Sequence, residues 1–131
     1  MVGVDQPRRK ITAEFYRTET GAEPVRAWLS TLPRSNRQEI GRDIRKTEYG
    51  WPLGMPTCAS LGDGLWEVRS HLGHRIARVF FCMVGPQMVL LHGIIKKSQT
   101  APKVDLQTAR GRKRSLEERL RQQDKMKARP A

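Results

Sequence analysis

Three strand-length segments follow one another between residues 65 and 95 with almost nothing between them. Leu65 to Ser70 reads LWEVRS, Arg75 to Met83 reads RIARVFFCM, and Gln87 to Ile95 reads QMVLLHGII. His71, Leu72, Gly73 and His74 make the first link; Gly85-Pro86 marks the second. A helical crossover between parallel strands needs a dozen or more residues, so these segments are predicted to pair antiparallel as a meander. The turn pair Asp63-Gly64 stands directly before the first of them. Whatever else the chain forms must pack on this sheet.

Upstream, Lys10 to Arg17 alternates, with Ile11, Ala13 and Phe15 on one side and Thr12, Glu14 and Tyr16 on the other. That period of two predicts an opening strand. From Glu23 the spacing of Val25, Trp28, Leu29 and Leu32 is helical, and Pro24 suits a first turn. Pro33 ends this helix, and Ser35 is the expected cap of a second one to about Tyr49, with Ile40 and Ile44 buried. Two helices joined at Leu32-Pro33 predict a helical hairpin. Gly50, Pro52, Gly54 and Pro56 predict a loop. A last helix starts near Pro102 on the apolar stripe Leu106, Ala109, Leu116 and Leu120, weakened in its middle by Gly111. The order β-α-α-β-β-β-α is that of an α+β fold: a small antiparallel sheet of about four strands, an N-terminal helical hairpin and a C-terminal helix. The 131 residues suit one domain, expected over residues 10–109 between a flexible N-terminus (1–9) and a basic C-terminal helix or tail (110–131).

Charge restricts function. The chain has 25 Lys+Arg against 13 Asp+Glu, a formal +12, which points to a polyanion, with nucleic acid favoured over membrane. The longest apolar stretch, Ile76 to Val84, is interrupted by Arg78 and too short to span a bilayer. The first residues lack the apolar core of a signal peptide, and Cys58 and Cys82 form no disulfide framework, so a reducing, cytoplasmic setting is expected. Residues 110–131 hold nine basic residues and three acidic ones, half of the net charge. They read either as a solvated helical face or as an arm tracking a phosphate backbone.

No phosphate-cradling Gly-Lys-Ser/Thr loop or nucleophile motif is present, and Gly62-Asp63-Gly64 lacks the third glycine of a dinucleotide fingerprint. His71 and His74 have no carboxylate or cysteine cluster beside them, so neither a metal site nor a cofactor is expected. The strand charges say more. Glu67 and Arg69 share a face with Leu65, and Arg78 shares one with Ile76 and Phe80. An arginine among such residues needs a partner. Either Glu67 pairs with the arginines across strands, or Arg69 and Arg78 converge with Lys96 and Lys97 on a phosphodiester. Arginine suits the second role because it offers bidentate donors and stays charged at any working pH.

At these residues the chain resembles a known family. Leu61-Gly62-Asp63-Gly64-Leu65-Trp66-Glu67-Val68-Arg69 is similar to the "L-x-D-G-L-[YW]-E-[LV]-R" segment of phage-derived Gp49-like proteins, which belong with the HigB-like toxins of the RelE/ParE superfamily. Ala77-Arg78-Val79-Phe80-Phe81 resembles the family's next strand. The run from Leu90 to Pro102, with His92, Lys96, Lys97 and Ser98-Gln99-Thr100, resembles its "L-L-H-x-F-x-K-K-[ST]-Q-K-T-P" segment. The three motifs fall in order within about residues 10 to 112.

The resemblance implies the toxin of a type II toxin–antitoxin pair, held by a HigA-like helix-turn-helix antitoxin. It also implies cleavage of mRNA on the translating ribosome without a metal. In that reaction the RNA 2′-hydroxyl attacks the adjacent phosphate, so the protein must orient the strand, stabilise charge and move protons. On this resemblance Arg69 and Arg78 stabilise transition-state charge. Lys96 stabilises the leaving oxygen or the phosphate, and Lys97, Arg75 and His74 bind RNA. His92 and His74 are candidates for the general base, since imidazole titrates near neutral pH. The chain departs from relatives in three places: Thr57-Cys58-Ala59-Ser60 where lysines are common, Ile94 for a phenylalanine, and no tyrosine after Tyr49. A toxin of the same fold that blocks gyrase or the ribosome without cutting is the alternative. A general RNA-binding protein is a weaker one, because aromatic residues for base stacking are few.

Overall fold

A computed structural model describes residues 8–97 and 101–128. Residues 1–7 of the expected N-terminal segment, Ser98, Gln99 and Thr100 of the last motif, and residues 129–131 lie outside the described residues. The elements are β1 (Thr12–Phe15), α1 (Pro24–Ser30), α2 (Arg34–Gly50), β2 (Cys58–Gly62), β3 (Leu65–Leu72), β4 (Arg75–Val84), β5 (Gln87–Lys96) and α3 (Lys103–Ala128).

The architecture is α+β with a C-terminal helix, as expected, but the sheet has five strands and is mixed. Its order is β1-β5-β4-β3-β2. β3, β4 and β5 form the antiparallel meander, whereas β1 joins β5 in parallel, Thr12 beside Gln87 and Phe15 beside Leu90. Parallel pairing is possible because both helices and the meander intervene between β1 and β5. The strand missed by periodicity is β2, five residues reading CASLG with a register shift between Ser60 and Gly62. So short and bulged an edge strand leaves little alternation to detect. The expected hairpin also differs: α1 packs on β5 and β1, and α2 on β3 and β1, so each helix packs chiefly on the sheet rather than on the other. Pro33, not Ser35, sits at the N-cap of α2.

Each face of the sheet has its own core. Between the sheet and α1 and α2, Val25 of α1 and Ile40 of α2 meet Val68, Val79, Phe81 and Met88. Trp51 there meets Trp66 edge-on at 5.0 Å and Phe81 at 5.6 Å between ring centroids. Between the sheet and α3, Ala109 of the helix meets a core of Leu65, Phe80, Cys82, Val89 and Leu91. Strand alternation produces both cores from one set of strands. The β2–β3 turn is tight because Asp63 and Gly64 both adopt positive φ, 53° and 77°, as a two-residue hairpin of type I′ requires.

Candidate functional site

Register places the strand charges in rungs. In β3, β4 and β5, Glu67, Phe80 and His92 lie side by side; then Arg69, Arg78 and Ile94; then His71, Ile76 and Lys96. All nine side chains lie on the α3 side of the sheet, and successive rungs are about 7 Å apart. The first rung is adjacent to α3. The last lies at the end of the sheet where the β3–β4 turn carries His74, where Arg75 opens β4 and where Lys97 follows β5.

The middle of this array is an ion-paired cluster. One carboxylate oxygen of Glu67 accepts from Arg69 Nε at 2.6 Å and from Arg78 Nη1 at 2.9 Å. Arg78 and Glu67 are each 1% exposed, whereas the Arg69 side chain is 25% exposed. Both arginines therefore share one partner, and only Arg69 reaches solvent appreciably. His71, His74, Arg75, Lys96 and Lys97 are exposed. The structure thus brings Lys96, Lys97, His74 and Arg75 to one end of the sheet, with Arg69 one rung further in on the α3 side and Arg78 beside it; Arg75, paired with Leu72, falls on the face opposite Lys96 and Arg69.

His92 sits one rung deeper, 19% exposed, with its ring stacked on Phe80. Its Nε2 lies 2.7 Å from Asp105 Oδ1 and its Nδ1 lies 3.2 Å from Arg112 Nη1. An arginine can only donate, so Nδ1 is the acceptor and Nε2 carries the proton toward Asp105. The same Arg112 donates to the Leu91 carbonyl at 2.8 Å. A register shift opposite Phe80 and Phe81 turns Leu91 and His92 to the same side, which lets α3 engage both. Asp105 and Arg112 are the participants that sequence reasoning missed. Their signal was there: Asp105, Ala109, Arg112 and Leu116 repeat at helical spacing, placing two polar residues on the buried stripe.

Burial raises both thiols. Cys58 is shifted up by desolvation, opposed by its contact with Thr47, and Cys82 is pushed up to about 11, chiefly by desolvation. Neither is poised as a nucleophile. Among the described residues no group of three or more His, Cys, Asp or Glu is placed to hold a metal ion. No described helix is long and apolar enough to cross a membrane.

No curated protein sequence matches the chain. The family described as phage-derived Gp49-like proteins matches residues 27–114, which takes in every candidate site residue, all of α2 and the strands β2 to β5. The family is associated with the toxins of toxin–antitoxin systems, so an antitoxin partner is implied in general. With more than half of its length matched, and with the three motifs falling on adjoining strands, the chain belongs to the Gp49-like phage-derived protein family, a RelE/ParE-like toxin family.

Proposed function

We propose that the protein is a HigB-like toxin that cleaves mRNA on the ribosome and is restrained by a HigA-like helix-turn-helix antitoxin. The observation that carries this reading is the one-sided charge of the sheet end. Lys96, Lys97 and Arg75 stand at that end with Arg69 one rung in, and the only acidic residue on the three rungs, Glu67, is buried. Such a surface attracts a phosphodiester and repels few of its charges.

The reaction needs no protein nucleophile. The RNA 2′-oxygen forms a bond to the adjacent phosphorus, the bond from phosphorus to the 5′-oxygen breaks, and a 2′,3′-cyclic phosphate and a 5′-hydroxyl result. One proton leaves the 2′-oxygen and one reaches the 5′-oxygen. Arg69 stabilises the pentacoordinate phosphorus, with Arg78 contributing its charge from below. Lys96 protonates or stabilises the leaving oxygen, and Lys97, Arg75 and His74 hold the strand. His74, in the exposed turn, is the better base of the two histidines, because His92 must give up Asp105 or Arg112 to exchange a proton.

A toxin that blocks its target without cutting is favoured by one observation: Glu67 engages both arginines, and Arg78 is almost fully buried. Primer extension on cellular mRNA after induction without antitoxin separates the two. New discrete 5′ ends support cleavage; intact transcripts with arrested growth support blocking. Arg69→Ala/Lys96→Ala, checked for folding by circular dichroism, is expected to restore growth. Undiminished arrest by that folded variant would sink the site assignment.

A further inference from the structure

The β2–β3 turn and the middle of α3 enclose a recess of about 220 Å³ lined by Asp63, Arg110, Lys113 and Arg114. Three cations meet there. Arg110 is held by the carbonyls of Leu61, at 2.8 Å, and Gly62, at 3.4 Å, which position its guanidinium without neutralising it. The Lys113 stem passes over Gly64, and its ammonium lies 3.1 Å from Glu117. Arg114 is exposed. Asp63, 4.0 Å from Arg110 and with its side chain 96% exposed, is the one carboxylate in the lining. Arg110, Lys113 and Arg114 stand three and four residues apart on one helix, a spacing at which like charges repel. A bound anion relieves that repulsion.

We propose that this recess is a second phosphate subsite, which holds the RNA backbone away from the scissile bond. The proposal rests on the RNA reading above. The recess and the face carrying Arg69 and Lys96 lie on the same α3 side of the sheet, toward opposite ends of β3. From Leu65 to Arg69 is four residues, roughly 13 Å, and to His71 six residues, roughly 20 Å. At about 3.4 Å per nucleotide along a stacked strand, the two centres are about four to six nucleotides apart. α3 has no aromatic residue, so the subsite grips phosphates without stacking bases and is indifferent to sequence.

The test is fluorescence anisotropy of the full chain with 2′-O-methyl oligoribonucleotides, which cannot be cleaved, of 3 and 12 nucleotides. The trimer reaches one centre and the 12-mer both. Arg114→Glu is expected to weaken the 12-mer about tenfold, lower its salt slope by about 0.7 and leave the trimer unchanged. Asp63→Asn removes the carboxylate, and asparagine tolerates the left-handed backbone there, so the 12-mer is expected to bind about two- to threefold tighter. No change with Arg114→Glu, or an equal loss for both lengths, overturns the subsite. Arg69→Ala/Lys96→Ala distinguishes the two readings. If it loses affinity while Arg114→Glu does not, the subsite alone fails. If it binds both oligonucleotides as the parent does, the RNA reading fails with it.

Discussion

Glu67 decides how the charges of this protein behave. Its buried carboxylate is shared by Arg69 and Arg78, and of the two only Arg69, nearer the surface, is open to a ligand. A charge as buried as Arg78 is tolerated because a carboxylate faces it, and removing the negative charge of a buried pair is costly. Glu67→Gln keeps the shape and removes the charge. It is expected to lower the unfolding free energy by about 3 kcal/mol, read from urea denaturation. A loss below about 1 kcal/mol would show that the cation is balanced elsewhere. The two readings open in the sequence, an ion pair or a phosphate site, turn out to be compatible at Arg69. That outcome was legible only in part: alternation put Glu67, Arg69 and Arg78 on one face, but composition could not say that both arginines would converge on one oxygen.

Among the elements, α1 shows how closely a helix can approach a sheet. A Cβ added at Gly93 on β5 would lie 2.3 Å from the Trp28 ring, far inside contact distance. Gly93 is therefore the flat spot on which Trp28 rests. Gly93→Ala is expected to displace the indole, costing about 1–3 kcal/mol and shifting the tryptophan fluorescence, with α1 loosened from β5. Unchanged stability and emission would show that the ring has room to move aside. Trp28 was legible as an apolar position at helical spacing, whereas Gly93 was an ordinary residue within a strand. Its role follows from which helix lands there. β2 was missed for a related reason: what defines it is pairing with β3, not a pattern of its own. α3 is the converse case. Its polar residues Asp105 and Arg112 fall on the buried stripe and meet His92, so a stripe read for its apolar members also carried a polar connection to β5.

At the scale of the whole molecule the sheet separates two cores, and the two cysteines report on them independently. Cys58 belongs to the core beneath α1 and α2, and Cys82 to the core beneath α3. If the domain opens as one unit, both thiols are expected to label with Ellman's reagent at a single slow rate at neutral pH. A faster Cys82 would mean that α3 detaches on its own. The pH dependence has a definite sign. The folded pKa of Cys82 is raised from an unfolded value near 9 to about 11, so the folded state holds that proton more tightly. Its contribution to stability is complete below about pH 9 and is lost as pH rises through 11. Thermal melts are expected to fall over that window, and Cys82→Ala to flatten the decline. A decline unchanged by Cys82→Ala would assign it to other groups.

By itself the sequence determined the meander, because links of so few residues leave antiparallel pairing as the only geometry. It determined the strand faces, because side chains alternate, and it set the excess of positive charge. Tertiary structure decided the rest. Whether β1 would pair with β5, whether CASLG would join the edge, and which helix would cover which face depend on contacts between residues far apart in the chain. Net charge in the same way is a sum over composition, whereas a site needs charges at particular separations. Strand register sets Arg69 and Lys96 on neighbouring rungs of one face, and the crossing of α3 brings Arg110, with Lys113 and Arg114, to the β2–β3 turn at the far end of the same strand. Part of the +12 noted in the sequence is gathered, in the fold, at two places roughly 13 to 20 Å apart.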